Sequence, residues 1–148
     1  FPTRRSSDLT DSHKKDAAEF KSFPPHSVEG TAECELVDVI KAYEEDMKVI
    51  KKNSTNAFLE EETQIEVNDL INKGVKKWYV TGCVTDICVK QFTLTLKTYF
   101  NKENLDMDVI VIKNCVDTFD APGHSAEEMN KYSFMDMLQA GIEVIEEF

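Results

Sequence analysis

The sequence predicts a doubly wound α/β fold, with a mostly parallel sheet and helices on both faces. Three observations support this prediction. From residue 33 onward, segments with helical spacing alternate with short apolar runs, the connections between them are short, and no repeat or low-complexity tract interrupts the order. A strand–helix–strand series of this kind builds a parallel sheet, because right-handed crossovers return each strand beside the previous one.

The first four elements follow from apolar spacing and one glycine. Residues 36–47 carry apolar side chains at helical spacing, and residues 49–50 begin a short extended run. Residues 65–71 form a second amphipathic segment, which Gly74 closes. Residues 77–81 are predicted to form a buried strand.

The second half of the chain continues the alternation. Residues 87–100 are predicted to be helical, and residues 108–112 give the clearest strand signal in the chain. A capping box that starts at Ser125 opens a helix, which ends at Gly141. Residues 142–145 are predicted to form a last strand.

The start of the chain does not fit this pattern. Residues 1–9 are polar and basic and show no strand alternation. We therefore predict that they are a non-native scar. Residues 10–148 are predicted to form a single domain whose N-terminal strand and helix are missing.

Composition narrows the class of function. The chain has 148 residues with 17 basic and 28 acidic side chains, a formal charge of −11. Binding to nucleic acid or to an anionic membrane is disfavoured, because both need positive charge. No apolar run reaches the ~20 residues of a membrane span, and no secretory signal is visible. We expect a cytoplasmic protein with reduced thiols, and a homo-oligomer is left open.

Cys88 is the first candidate for chemistry. It follows the predicted strand at 77–81, at the start of a predicted helix. Backbone N–H groups and the helix dipole favour a thiolate at this position, and the same N–H groups would hold an oxyanion. The alternative is a small packed residue, which is how most cysteines behave.

An acid–histidine cluster is the second candidate. Asp11 and His13 are two residues apart, so an extended chain points both side chains to the same side. Glu19 and His26 follow in the same segment. Carboxylate and imidazole ligands suit zinc, iron or manganese, whereas each histidine alone is read as an ordinary surface or core residue. His124 is expected to be a loop residue.

Lys52 is the third candidate. Lys51 and Lys52 follow the extended run at 49–50, at the carboxyl end of a predicted strand. Adjacent lysines usually face solvent, but a lysine beside Cys88 would stabilise a thiolate and a developing oxyanion. The residues by themselves do not choose between these two interpretations.

Three separated motifs together resemble one family. DSH…EF…FPPH…EGT, VIKKNSTNAF and VTGCVTDICV, in this order, resemble the isochorismatase-like cysteine hydrolases, and within them the nicotinamidases. The resemblance covers the chain from Asp11 onward and implies the isochorismatase-like hydrolase fold. It also implies a non-proline cis peptide between Cys83 and Val84.

The resemblance implies a role for each candidate residue. Cys88 is then the nucleophile and Lys52 the lysine of its triad, while the N–H groups of Val84 and Cys88 form the oxyanion hole. Phe23 takes the place of an aromatic residue that packs on the substrate ring. The metal ligands of the family map onto four residues: Asp11, His13, His26 and, in some members, Glu19.

The implied reaction is hydrolysis of nicotinamide to nicotinate and ammonia through a cysteine thioester, with a divalent metal ion positioning the pyridine ring. Zinc is the expected ion, and iron and manganese are the alternatives. The alternatives are another amide or carbamoyl hydrolase of the family and a non-catalytic metal-binding domain. The third catalytic residue of the family is an aspartate on a strand upstream of Asp11, and no residue here matches it. Because general acid–base catalysis contributes about 10²–10⁴ in rate, we expect this chain to be a poor catalyst.

Overall fold

The computed structural model describes residues 6–148 of the chain. It contains two compact units, of which unit 1 extends to Thr63 and unit 2 runs from Gln64 to Phe148. Each unit contains a parallel sheet, and helices flank the strands, so the predicted α/β class is confirmed. Within residues 6–148, every helix is shorter or more polar than a bilayer span requires.

Unit 1 is built on two parallel strands, β1 (Ser6–Asp11) and β2 (Met47–Lys52). They pair along their whole length, so that Asp11 lies opposite Lys52 where both strands end. Between the strands the chain makes 3₁₀ turns and one short helix, α1 (Asp38–Lys41). The carboxyl ends of β1 and β2 therefore meet at one edge and bring polar side chains together there.

Unit 2 holds three parallel strands in the order β3–β4–β5, with a helix between successive strands. The elements in chain order are α2 (Glu61–Asn72), β3 (Lys77–Cys83), a π-helical segment (Thr85–Val89), α3 (Lys90–Lys102), β4 (Asp108–Asp117), α4 (Ala126–Gln139) and β5 (Glu143–Ile145). The first of them begins in the last residues of unit 1. α3 packs on β4, α4 packs on β5, and these two helices contact each other.

The core of unit 2 is centred on β4. Residues 109–112 of this strand are all buried, and because successive side chains point to opposite faces, both faces of the strand are covered. Leu96 and Phe100 of α3 lie one helical turn apart and are fully buried, as is Met137 of α4. Both helices therefore bury one face in the same core.

Local signals place the helix ends of unit 2 correctly. The hydroxyl of Ser125 caps α4 by accepting a hydrogen bond from the N–H of Glu128 at 3.4 Å. Gly74 and Gly141 follow α2 and α4 with φ angles of 84° and 81°. Glycine adopts this left-handed conformation without steric cost, so both predicted helix stops are confirmed.

The predicted helix at residues 36–47 is wrong in length. Only the single turn α1 forms, and the apolar side chains around it are exposed, with Val39 at 74% and Tyr43 at 62%. The apolar spacing is present, but a short helix is stable only when its apolar face is packed. In unit 1 that face is exposed, and so the helix does not extend.

The prediction that the strand at 77–81 is buried is also wrong. β3 alternates between exposed and half-buried side chains, and Tyr79 is 46% exposed. Among the described residues, β3 is an edge strand of its sheet, paired on the β4 side. An apolar run predicts an extended segment, but its position in the sheet decides how much of it is covered.

The segment 1–9 shows no strand alternation in its sequence, yet its described part contributes to a strand. Residues 6–9 belong to β1 and pair with β2. The hydrogen bonds between β1 and β2 are made by backbone groups, so the strand pair forms without apolar alternation. Asp8 lies within β1, and its burial raises the pKa of its carboxyl group. Residues 1–5 lie outside the described residues, and the interpretation of the segment as a scar stays a prediction.

Candidate metal centre and cysteine site

The local fold of unit 1 brings the acid–histidine cluster together. β1 ends at Asp11, and the chain stays extended to His13, whose backbone forms a parallel bridge with Val28. The His13 N–H donates to the Ser27 carbonyl at 2.9 Å. This bridge places His26 beside His13, with ring centroids 4.6 Å apart, so two histidines separated in sequence become neighbours.

The possible ligand atoms of the cluster lie close to one another and point toward a common centre. His13 Nε2 is 3.6 Å from Asp11 Oδ1 and 3.7 Å from Glu19 Oε1. His26 Nε2 is 3.9 Å from the same Glu19 oxygen. One ligand atom each from Asp11, His13 and His26 lie within 4.8 Å of one another. Glu19 is held in place because its Oε2 accepts a hydrogen bond from the Thr55 N–H at 3.0 Å.

The hydrogen bonding of the His13 ring fits a bound cation. Its ring is fully buried, and Nδ1 lies 3.2 Å from Asn53 Oδ1, an acceptor, so we place the proton on Nδ1. Nε2 then presents a lone pair toward two carboxylates, and it has no hydrogen-bond partner among the described residues. Metal–ligand bonds of 2.0–2.2 Å separate the ligand atoms of a tetrahedral ion by about 3.4 Å. The spacing and the orphaned nitrogen both fit a divalent ion.

Lys52 lies next to the cluster rather than in solvent. It ends β2 opposite Asp11 and is 4% exposed. Its ammonium contacts Asp11 Oδ1 and donates to the Ser54 carbonyl at 3.2 Å. The interpretation in which Lys52 faces solvent is therefore excluded.

One aromatic residue that the sequence analysis did not single out, Phe20, contacts both histidines. Phe20 makes edge contacts with His13 at 5.5 Å and with His26 at 5.8 Å between ring centroids. Phe23 is half-buried, and its N–H donates to the Glu19 carbonyl at 3.0 Å. The role of Phe23 toward a substrate stays a prediction.

Cys88 lies in unit 2, in the segment that follows β3. The peptide bond between Cys83 and Val84 is cis, as the resemblance implies. The Val84 carbonyl accepts hydrogen bonds from the N–H groups of Ile87 at 3.3 Å and Val89 at 3.2 Å, which winds the π-helical segment Thr85–Val89. The side chain of Cys88 is half-buried in this segment.

The sequence reasoning missed a polar cluster that includes Asp86, a residue of the same π-helical segment as Cys88. Asp86 accepts hydrogen bonds from the Thr118 hydroxyl at 2.6 Å and from His124 Nε2 at 2.8 Å. Burial by itself would raise the pKa of Asp86, but the hydrogen bonds from Thr118 and His124 outweigh it and lower this pKa. The hydrogen bond to Asp86 raises the pKa of His124. The position of Asp86, two residues before Cys88, was the signal that could have identified it.

Unit 2 also has an open groove of about 640 Å³ at the carboxyl ends of β3 and β4. Its walls come from Gly82, Cys83, Lys113, Asn114, Cys115, Val116, Asp117, Asn130 and Phe134. Neither Val84 nor Cys88 lines it. Cys83, which forms the cis peptide with Val84, is the nearest lining residue in sequence to the two.

Comparison with known proteins identifies a family and supports the fold. The isochorismatase domain family matches residues 1–146. Nicotinamidase 1 of Arabidopsis thaliana is 35% identical over 127 residues, which are 80% of this chain and 52% of that protein. The chain thus spans about half the length of this relative.

Two solved structures show the same fold. The first is PnC1 from L. infantum in complex with nicotinate, with a TM-score of 0.78, 19% identity and coverage of 99% of this chain and 73% of that one. The second is pyrazinamidase of Pyrococcus horikoshii in complex with zinc, with a TM-score of 0.68, 22% identity and coverage of 95% and 74%. At these identities the likeness concerns the fold alone.

Proposed function

The chain belongs to the isochorismatase domain family, and on this basis we propose that it is an amidohydrolase of the nicotinamidase type, which converts nicotinamide to nicotinate and ammonia. The observation that carries the proposal is the acid–histidine cluster with its orphaned His13 Nε2. The resemblance connects this metal set with nicotinamidases rather than with relatives that act on isochorismate or carbamoyl compounds. The similarity to Arabidopsis nicotinamidase 1 and to a nicotinate-bound structure supports the same substrate class.

Cys88 is the nucleophile in this proposal. Its thiolate attacks the carboxamide carbon and forms a C–S bond, while the N–H groups of Val84 and Cys88 stabilise the oxyanion. The C–N bond then breaks, and ammonia leaves with the proton that the thiol gave up. Water hydrolyses the thioester, which releases nicotinate and returns a proton to the sulfur.

Two further residues have roles in binding and charge. Lys52, which is buried and contacts Asp11, is the lysine of the triad in this proposal, because the positive charge of a lysine stabilises a thiolate and a developing oxyanion. Phe23 packs on the pyridine ring. Asp11, His13 and His26 would hold a divalent ion, with Glu19 as a fourth ligand.

Such an ion would supply a Lewis acid for the pyridine nitrogen and so orient the ring. Zinc is the proposed metal, because the donor set of carboxylate and imidazole suits it and the Pyrococcus horikoshii relative binds zinc. Iron and manganese are the alternatives. Asn53 and Pro24 would orient the two histidines through their Nδ1 atoms, since Asn53 Oδ1 and the Pro24 carbonyl accept from them.

The test is ammonia release from a panel of amides. We expect nicotinamide and pyrazinamide to be hydrolysed, and Cys88→Ala to abolish release from both. Cys115→Ala is the matched control, because this exposed cysteine has no role in the proposal. Ammonia release only from carbamoyl compounds would indicate that the chain is one of the other hydrolases of the family. No release together with a Cys88 that resists alkylation would indicate a non-catalytic metal-binding domain.

The rate itself tests the expected impairment. If no residue of this chain replaces the family's upstream aspartate, nicotinamide turnover is expected to be about 10²–10⁴ below that of an intact family member assayed in parallel. The release must remain dependent on Cys88. Turnover at the rate of the intact enzyme would contradict the impairment and leave the proposed reaction in place.

A further inference from the structure

The loop before α4 is joined to the segment that carries Cys88 by the cluster of Asp86, Thr118 and His124. Asp86 lies in the π-helical segment, and Thr118 directly follows β4. The side chain of Asp86 is 10% exposed and that of His124 is 21% exposed. The cluster is therefore largely shielded from water, and the proposed reaction does not account for it.

The hydrogen-bond partners of His124 define its charge. Nδ1 lies 2.8 Å from the Phe119 carbonyl, which can only accept, so Nδ1 carries a proton. Nε2 lies 2.8 Å from Asp86 Oδ2, which accepts when the carboxyl is ionised. Both ring nitrogens then donate, and the ring is an imidazolium paired with a carboxylate. The Phe119 ring stacks on it at 4.1 Å with an interplanar angle of 6°, which fixes its plane.

The position of this pair matters because Asp86 is two residues from the proposed nucleophile. An isolated carboxylate there would oppose ionisation of the Cys88 thiol, since like charges disfavour each other. The His124 imidazolium compensates that charge. Two hydrogen bonds to Asp86, from Thr118 and His124, also tie the segment Thr85–Val89 to the loop.

The other charged groups around the pair are already engaged. The Asp117 carboxylate accepts from the Thr118 N–H and from Asn130, and the Asp120 carboxylate accepts from the Ala126 N–H. On the helix side, Lys90 pairs with Asp136 of α4 at 3.6 Å. Among these groups, His124 is the cation that contacts Asp86.

We propose that Asp86 and His124 are positioning residues for Cys88: the pair anchors the π-helical segment to the loop before α4 and neutralises a carboxylate that lies two residues from Cys88 in the chain. This inference rests on the proposed function only in taking Cys88 as the nucleophile. Its effect is on the thiolate, and so it can be measured without substrate.

The experiment is the pH–rate profile of Cys88 alkylation, in which the thiolate displaces iodide from iodoacetamide, followed on the Cys88 peptide by mass spectrometry. We expect His124→Gln to shift the midpoint of the pH–rate profile to higher pH by about one unit. Alkylation at neutral pH then becomes about tenfold slower. Glutamine can still donate to Asp86, so this variant removes the charge and keeps a hydrogen bond. Lys131→Gln, which removes an exposed charge from α4, is the matched control and should leave the profile unchanged.

A charge-compensating double variant separates this role from a purely structural one. In D86N/H124Q both charges are gone, and we expect the profile to return toward that of the wild type. A purely structural pair predicts that the double variant is no better than His124→Gln. Unchanged alkylation in His124→Gln, or no recovery in the double variant, would overturn the inference.

Ammonia release from nicotinamide, measured in parallel, distinguishes the two proposals. A shifted profile without ammonia release supports the pair and removes the proposed reaction. Ammonia release with an unshifted profile does the reverse. Circular dichroism of each variant identifies one that has lost its fold, and in that case the comparison of Asp86→Asn with D86N/H124Q carries the same test.

Discussion

At the scale of single residues, the proposed metal ligand His13 is held in one orientation by contacts on its backbone and on its ring. Its backbone is held by the bridge to Val28, and its Nδ1 atom is held by Asn53. Both restraints fix the ring so that Nε2 faces Asp11 and Glu19. When one nitrogen of a buried imidazole donates a hydrogen bond to an amide oxygen, the lone pair of the other nitrogen is available for a cation.

Asn53 is therefore expected to affect metal binding without being a ligand. Replacing Asn53 by Ala removes the acceptor for His13 Nδ1 and should weaken zinc binding by about 10–100-fold, the usual effect of losing such a second-layer partner. Competition with a chromogenic zinc chelator measures the affinity. Asn101→Ala, at an exposed position of α3, is the control that should bind zinc like the wild type. Equal affinities for the two variants would contradict the orienting role of Asn53.

The Asp86–His124 pair gives stability a defined pH window. The pKa of His124 is raised, so its contribution is complete below the unfolded value of about 6.5 and is lost as pH rises through the folded value. The pKa of Asp86 is lowered, so its contribution is complete above about 3.9 and is lost as pH falls through the folded value. We expect the Tm difference between wild type and His124→Gln to be largest between about pH 4 and pH 6.5. Thermal scans across pH measure it, and a difference that is constant with pH would contradict the ion pair.

At the scale of elements, the helices of unit 2 are held by one buried stripe each. Leu96 of α3 is completely buried, whereas Leu138 of α4 is 56% exposed. α1 shows the opposite case, since its apolar neighbours are exposed and it remains one turn long. A segment with helical apolar spacing thus forms a stable helix only where its apolar face packs into a core.

Leu96→Ala is expected to destabilise unit 2 by about 2–5 kcal/mol, because it leaves a cavity in a closed core. Leu138→Ala makes the same chemical change at an exposed helical position and should stay within about 0.5 kcal/mol of the wild type. Urea unfolding followed by Trp78 fluorescence measures both, since the Trp78 ring contacts Phe100 in this core at 5.2 Å. Similar losses in the two variants would contradict the assigned burial.

At the scale of the whole molecule, the acidic chain contains two units, and the proposed metal ligands all lie in the first. Two carboxylates and two imidazoles converge there, and the Lys52 ammonium contacts one of the carboxylates, that of Asp11. A ligand that binds only the folded form shifts unfolding by mass action. Metal binding should therefore be visible as added stability.

Zinc at about 100 times its dissociation constant is expected to stabilise unit 1 by about 2.7 kcal/mol. Differential scanning calorimetry with and without zinc measures the change, and EDTA should reverse it. His26→Ala should abolish the response, while His124→Gln, which changes a histidine outside the cluster, should keep it. A zinc response that survives His26→Ala would place the ion elsewhere.

The sequence predicted the parts of the fold that depend on neighbours in the chain. Apolar periodicity located β4, α3 and α4, and the capping serine and two glycines located helix ends, because these signals act within a few residues. The same reasoning failed for the helix at 36–47 and for the burial of β3. Both depend on what packs against a segment, which spacing within the segment does not encode.

The sequence by itself determined which residues were available for chemistry: the Asp-x-His pair, His26, Lys52 and the cysteine after a strand. Only the tertiary structure decided which of them act together. Lys52 meets Asp11 across 41 positions because parallel strands end side by side, and His124 meets Asp86 across 38 positions because a loop returns to the start of a helical segment. Burial then decides their chemistry, since the charge and the lone pairs of a side chain depend on the partners that replace water around it.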